Sequence, residues 1–99
     1  METVNIYNIY MHLTRFYSVR KFVVKGIIKE NRFKPCETIM DFFIPKNANI
    51  NVKRLNRILE REIKWVNYTL IIDDFKIRIV VTHNREKTIM EYDFESRLN

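Results

Sequence analysis

The stretch "LIIDDFKIRIVV", residues 70–81, holds two apolar runs on either side of Asp73-Asp74. Leu70 to Ile72 and Phe75 to Val81 read as two strands joined by a two-residue turn. Asp-Asp is a weaker turn pair than Asn-Gly, but the alternation that follows compensates. Phe75, Ile77, Ile79 and Val81 share one face, and Lys76 and Arg78 point the other way. "HNRE", residues 83–86, reads as the next turn, and residues 87–94 as a last strand. If that turn centres on Asn84-Arg85, Phe75 faces Phe94, Ile77 faces Tyr92 and Ile79 faces Met90. On the other face Lys76 meets Asp93 and Arg78 meets Glu91. One register satisfies both faces, which is the agreement that specifies strand pairing. The C-terminal third therefore predicts a three-stranded antiparallel meander.

Immediately upstream lies "NVKRLNRILEREIKW", residues 51–65, with a different period. Val52, Leu55, Ile58, Leu59, Ile63 and Val66 recur at helical spacing. The helix is expected to start at Asn49 or Asn51 as N-cap and to run to about Asn67. At 100° per residue its apolar arc extends from Trp65 to Ile63. Lys53, Lys64, Arg57, Arg61 and Arg54 then fill an uninterrupted arc of about 100° on another side. Lys53/Arg57 and Arg57/Arg61 are like charges at i,i+4 and repel by a few tenths of a kcal/mol each. Glu60 to Lys64 is the one well-oriented compensating pair. Glu62 falls inside the apolar arc, where a carboxylate needs a partner or a raised pKa. The favoured account is a salt bridge to a basic side chain or a helix–helix contact at a dimer seam.

The N-terminal third is less legible. Ile6, Ile9/Tyr10, Leu13 and Phe16/Tyr17 fit one helix face, while the residue types of "VNIYNIY" favour strands. A helix over residues 3–17 is the preferred reading. Residues 19–29 then read as a strand, with Gly26 as a bulge candidate. "NRFKP" is a loop, and "CETIMDFFI", residues 36–44, is a strand ended by Pro45. The two strands make a hairpin. The expected fold is a single α+β domain over residues 1–99: an antiparallel sheet, built from the N-terminal hairpin and the C-terminal meander, packed on the central amphipathic helix, with the N-terminal helix as a second cover.

Composition bounds the function. The 99 residues are 46% hydrophobic with a formal net charge of +6, a basic excess that suits nucleic acid, an anionic membrane surface or an acidic protein. Residues 1–36 carry seven basic and two acidic side chains, whereas residues 68–99 carry five and six. Basic charge thus concentrates on the first hairpin (Arg20, Lys21, Lys25, Lys29, Arg32, Lys34) and on the central helix. Phe16, Tyr17, Phe22 and Phe33 interleave with those basics. Such aromatics can stack on bases, though core packing is the commoner use.

Catalytic motifs are missing. His12 and His83 are lone, and Cys36 is the only cysteine, so neither a disulfide nor a cysteine metal cage is expected; the thiol reads as a small buried or half-buried group. Asp73-Asp74 and Asp74-x-Lys76 read as a turn rather than a metal site. With one glycine in the chain a backbone phosphate cradle is hard to build. The expectation is a non-enzymatic protein with no cofactor and no metal. No apolar run approaches the roughly 18 residues of a membrane-spanning helix. The first residues, broken by Asn5, Asn8 and His12, do not read as a signal peptide, so an intracellular location is expected.

A chain of this size, rich in Ile, Asn, Lys and Tyr and poor in Gly, with "NVKRLNRILEREIKWVNYTLIIDDFKIRIVV" as its most quotable stretch, resembles the small proteins of filamentous viruses of hot-spring archaea, the lipothrixvirus and rudivirus group. The resemblance covers the whole chain as composition and size. The charged content and scarce Gly agree with a thermostable protein, while the ten Asn residues argue the other way. The resemblance implies a location in the host cytoplasm or the virion, and it carries over no catalytic residue.

Two functional readings follow. The first is a viral interaction or structural protein, acting as a homodimer with viral or host partners. The alternative is a nucleic-acid-binding module without sequence preference, using Lys53, Arg54, Arg57, Arg61 and Lys64 of the helix with Arg20, Lys21 and Lys25 of the first hairpin. A membrane-surface role is a minor reading.

Overall fold

Along residues 76–82 the buried Ile77, Ile79 and Val81 alternate with half-buried side chains, and this strand lies inside the main sheet with a partner on each side. The computed structural model describes the backbone of residues 2–27, 36–83 and 88–91. Their order is β1 (Glu2–Asn5), α1 (Ile6–Tyr17), β2 (Lys21–Ile27), β3 (Cys36–Phe43), α2 (Val52–Glu62), β4 (Ile63–Lys64), β5 (Asn67–Ile72), β6 (Lys76–His83) and β7 (Thr88–Glu91). The fold is α+β, as the periodicities predict. A four-stranded antiparallel sheet runs β2-β3-β6-β5, and a smaller sheet runs β4-β1-β7.

The main sheet buries one face. Its cross-strand rows there are Phe22–Phe42–Ile77–Ile72 and Val24–Met40–Ile79–Leu70, with Val81 between Thr38 and Tyr68. Met40, Phe42, Ile77, Ile79 and Val81 are fully buried. Phe22 stacks on Phe42 with ring centroids 4.5 Å apart, a spacing at which aromatic pairs gain energy beyond their area. Both helices cover this face. Ile6, Ile9, Leu13 and Tyr17 of α1 and Leu55 and Leu59 of α2 join the same core cluster. Each such side chain contributes roughly 1.5–3 kcal/mol by leaving water.

Each helix has a side-chain cap. Asn5 Oδ1 accepts from the Asn8 amide at 3.0 Å and starts α1. Asn51 Oδ1 accepts from the Arg54 amide at 3.1 Å and starts α2, at one of the two predicted positions. Ser18 ends α1 in the left-handed region, its N–H donating to the Thr14 carbonyl. The Tyr17 hydroxyl donates to the Asn51 carbonyl at 3.4 Å and links α1 to the α2 cap.

The structure departs from the sequence expectations at five places. The meander is the largest. Strand β7 does not lie beside β6; it pairs parallel to β1, with Val4 opposite Met90. The free side of β6 is taken by β3, and Arg78 faces Asp41 rather than Glu91. The β3 register satisfies both faces of β6 as well as the expected one does. Met40 and Phe42 oppose Ile79 and Ile77 on one side, and Asp41 opposes Arg78 on the other. Strand residues 92–94 of the expected meander lie outside the described residues.

Second, α2 stops at Glu62 instead of about Asn67. Ile63 is captured by β1, where it sits opposite Val4 in a buried pair, and β pairing replaces the last helical turn. Third, α1 begins at Ile6, because residues 2–5 form β1, the middle strand of the small sheet. Fourth, Gly26 sits opposite Thr38 in an unbroken β2–β3 register and makes no bulge. Fifth, the two-residue turn is Asp74-Phe75 rather than Asp73-Asp74, because Asp73 pairs with Lys76 and Ile72 with Ile77, and Phe75 leaves the face of Ile77. It is 51% exposed and stacks with Phe43 on the opposite face at 6.4 Å. The Asp73 carboxylate accepts from the Phe75 amide at 3.2 Å, an Asx turn that rotates this residue out of the strand. The "NRFKP" loop, Phe33 and the basic residues Lys29, Arg32 and Lys34 lie outside the described residues, as do the side chains of Cys36 and His83.

The face of the main sheet away from the helices holds a bidentate ion pair. Arg78 Nε and Nη2 donate to the two Asp41 oxygens at 2.8 and 3.0 Å, with side chains 36% and 8% exposed respectively. The Arg78 hydrogen bond holds the Asp41 carboxyl below its usual range, against the opposing effect of burial. A depressed folded-state pKa contributes stability above the unfolded value near 3.9 and loses it as pH falls through the folded value. Asp41→Asn is expected to cost about 1–3 kcal/mol at neutral pH. The gap to the parent should close below about pH 4, as read by urea unfolding across pH. A variant whose deficit is the same at pH 3 and pH 7 contradicts this account of the pair.

Candidate nucleic-acid interface

Helix α2 divides into two sides. Leu55, Ile58 and Leu59 are buried, and Lys53, Arg54, Arg57 and Arg61 are exposed on the opposite side. Lys64 lies just beyond the helix on β4 and is also exposed. From Lys53 to Arg61 the basic face extends about 12 Å along the axis. Among the described residues, no carboxylate pairs with any of these five cations. Arg57 Nε donates to the Lys53 carbonyl at 3.5 Å, and Lys64 Nζ donates to the Glu60 carbonyl at 3.2 Å. The expected Glu60–Lys64 charge pair is thus replaced by a contact to the backbone. The Arg54 guanidinium stacks over the exposed Phe16 ring of α1 at 4.9 Å.

Two features make this face electrostatically unfavourable in isolation. Like charges repeat at i,i+4, and the first turn carries Lys53 and Arg54 with no acidic residue. The helix N-terminus is the positive end of the macrodipole, so cations there are disfavoured by a few tenths of a kcal/mol to about 1 kcal/mol. A bound anion would offset both effects, and phosphate is well matched to exposed N–H groups and arginines at such a helix start.

Of the described hairpin basics, Lys21 and Lys25 do not join this face. Lys21 lies opposite Phe43 in the β2–β3 register, with Nζ 5.7 Å from the ring. Phe43 belongs to the sheet face away from the helices, and Lys25 shares that face by alternation. Arg20 is exposed just before β2, its N–H donating to the Phe43 carbonyl. The sheet therefore separates Lys21 and Lys25 from the α2 residues. Of the described interleaved aromatics, Tyr17 is core, Phe22 packs against the core, and Phe16 faces solvent beside a cation.

Glu62, expected in the core arc, is half-buried at the end of α2. Its Oε1 accepts from Asn8 Nδ2 of α1 at 3.3 Å. The partner within the chain is thus an amide rather than a basic side chain. His12 is half-buried. Among the described residues no group of three or more His, Cys, Asp or Glu gathers where it could hold a metal ion, and no helix is long and apolar enough to cross a membrane.

Sequence reasoning missed Trp65. It placed this residue at the edge of the helical apolar arc, yet Trp65 is 79% exposed. Its φ is 66°, left-handed backbone that disfavours a side chain with a Cβ by about 1–2 kcal/mol. It occupies the bend between β4 and β5, where the chain passes from one sheet to the other. Neither Gly nor Asn stands at the left-handed position itself, so the local signal for it is weak. Beyond the bend, the Tyr68 hydroxyl donates to Asn56 Oδ1 at 3.3 Å and ties β5 to α2; burial, reinforced by Glu60, pushes this phenol up.

No family model, curated protein or solved structure matches the chain. The geometry of the chain stands alone as the basis for function.

Trp65→Gly is expected to raise the monomer's unfolding free energy by up to about 1 kcal/mol, because Gly accepts the left-handed backbone and the exposed indole contributes little packing. Chemical unfolding at sub-micromolar protein checks this. A marked fall in stability would show that the indole does pack within the chain.

Proposed function

We propose that this chain is a non-enzymatic interaction protein whose partner is a nucleic-acid backbone, held on the exposed face of α2. The observation that carries this reading is the set of five exposed cations, four on one side of a single helix, none paired with a carboxylate among the described residues. Phosphate contacts of this kind position a protein and carry no sequence information, so binding is without sequence preference. Arg54 adds a guanidinium already held over the Phe16 ring and available to a phosphate. The compositional resemblance to small proteins of archaeal filamentous viruses supports a setting in the host cytoplasm or the virion, with viral or host nucleic acid as the partner.

The test is a titration of labelled duplex DNA at two or more salt concentrations. The binding constant should fall steeply with salt. Arg57→Glu/Arg61→Glu should flatten the log–log slope by roughly 0.9 for each phosphate that is no longer neutralised. Lys21→Glu/Lys25→Glu, on the other side of the sheet, should leave the slope close to the parent's. Absence of binding at low salt would overturn the proposal, and so would an equal weakening in the two double variants.

A further inference from the structure

The main sheet has two outer strands that differ in chemistry. Strand β2 carries exposed Lys21 and Lys25, charges that discourage another strand from pairing there. Strand β5 reads NYTLII and has no charge, no Pro and no Gly. Thr69 and Ile71 are exposed on it. Among the described strands β5 is an outer edge of six residues with high β propensity and no charge or Pro of its own to block pairing, a surface for strand addition.

Its free hydrogen-bonding groups can be assigned. The Asp73 N–H donates to the Lys76 carbonyl at 3.0 Å, so positions 73 and 76 form a hydrogen-bonded pair. Alternation along the β5–β6 register makes 71:78, 69:80 and 67:82 pairs of the same kind. The N–H and C=O groups of Tyr68, Leu70 and Ile72 therefore point outward along the edge.

The two ends of β5 are complementary to each other. Exposed Lys64 and Trp65 precede it, and exposed Asp73, Asp74 and Phe75 follow it. A parallel copy would set cations against cations and carboxylates against carboxylates. An antiparallel copy sets the Lys64–Trp65 end of each strand against the Asp73–Phe75 end of the other, twice.

We propose that β5 pairs antiparallel with β5 of a second copy of this chain, with Leu70 at the two-fold axis. Residues opposite each other across antiparallel strands share a face. Thr69 then meets Ile71 on the open face, and Tyr68 meets Ile72 on the helix-covered face. Leu70 meets its own symmetry mate. This register uses all three outward-pointing residues and forms about six backbone hydrogen bonds. It also gives the exposed, left-handed Trp65 a place, beside the partner's 73–76 turn. The two-fold is perpendicular to the joined sheet, so the helices of both protomers lie on the same side. This deepens the reading of the chain as an interaction protein, and it sets two α2 basic faces on one surface, where a single duplex engages both by effective concentration. The interface itself does not depend on what α2 binds.

Sedimentation of the full chain without nucleic acid, from sub-micromolar to 100-fold higher concentration, tests this together with Trp65 emission, the chain having one tryptophan. A dimer is expected, with emission shifting to shorter wavelength as it forms. Ile71→Lys, on the open face and away from the core, should weaken association by about tenfold or more. Lys64→Glu and Asp74→Lys should each weaken it, and the double variant Lys64→Glu/Asp74→Lys should restore it. A chain that stays monomeric overturns the proposal, as it would if the edge were reserved for a strand of another protein. A dimer indifferent to Ile71→Lys, or one in which the double swap fails to rescue, overturns it equally. Loss of salt-dependent DNA binding in Arg57→Glu/Arg61→Glu with dimerisation intact bears on α2 alone.

Discussion

The pairing of β3 with β6 is the constraint on which the rest of the structure depends. It joins the N-terminal hairpin to the C-terminal hairpin and makes one sheet out of two. Its register is specified on both faces. Met40 and Phe42 meet Ile79 and Ile77 in the core, and Asp41 meets Arg78 on the other side. A slip of one residue would exchange these faces and bury the ion pair among the helices. With β3 in place, β6 has no free edge, so β7 has to find another partner, and β1 supplies it. That in turn sets β1 between β7 and β4.

The small sheet limits α2. Residues 52–66 carry a helical apolar period that could extend beyond Glu62, but Val4 of β1 takes Ile63 into a strand pair. The chain then bends at Trp65 and enters β5. The cost of a tryptophan in left-handed backbone is met by the burial of Ile63 on one side and by the docking of Tyr68 on α2 on the other. The bend also aims the largest side chain of the protein outward, at the start of an uncharged edge strand.

Charge follows from the layering. One face of the sheet is covered by helices, so the basic residues of α2 and those of β2 and β6 have the sheet between them. Those of α2 form a single exposed arc. Lys21 and Lys76 instead lie over the Phe43 ring on the open face, where cation–π contact engages them. A binding surface built on α2 is therefore a helix surface, reinforced by Phe16 under Arg54 and not by Lys21 or Lys25. Paired through β5, two such surfaces would face the same way.

By itself the sequence determined the local elements: the amphipathic α2 with Leu55, Ile58 and Leu59 inward and its arginines outward, an Asn cap at its start, the shared face of Ile77, Ile79 and Val81, and a tight turn between two strands on either side of Asp73-Asp74. These are readable because period and capping depend on neighbours a few residues away. It also determined that Glu62 needed a partner, since a carboxylate in an apolar arc is costly wherever the chain goes. Only the tertiary structure decided that Asn8 is that partner, that Asp41 rather than Glu91 faces Arg78, that β7 pairs with β1, and that α2 gives way to β4 at Ile63. Each of these is a choice between partners far apart in sequence with similar local merit. Asp41 and Glu91 offer Arg78 the same charge, and the difference lies in the whole β3 register that comes with one of them. Trp65 belongs to the same class, because its backbone conformation is imposed by the two sheets on either side of it and not by any residue within the bend.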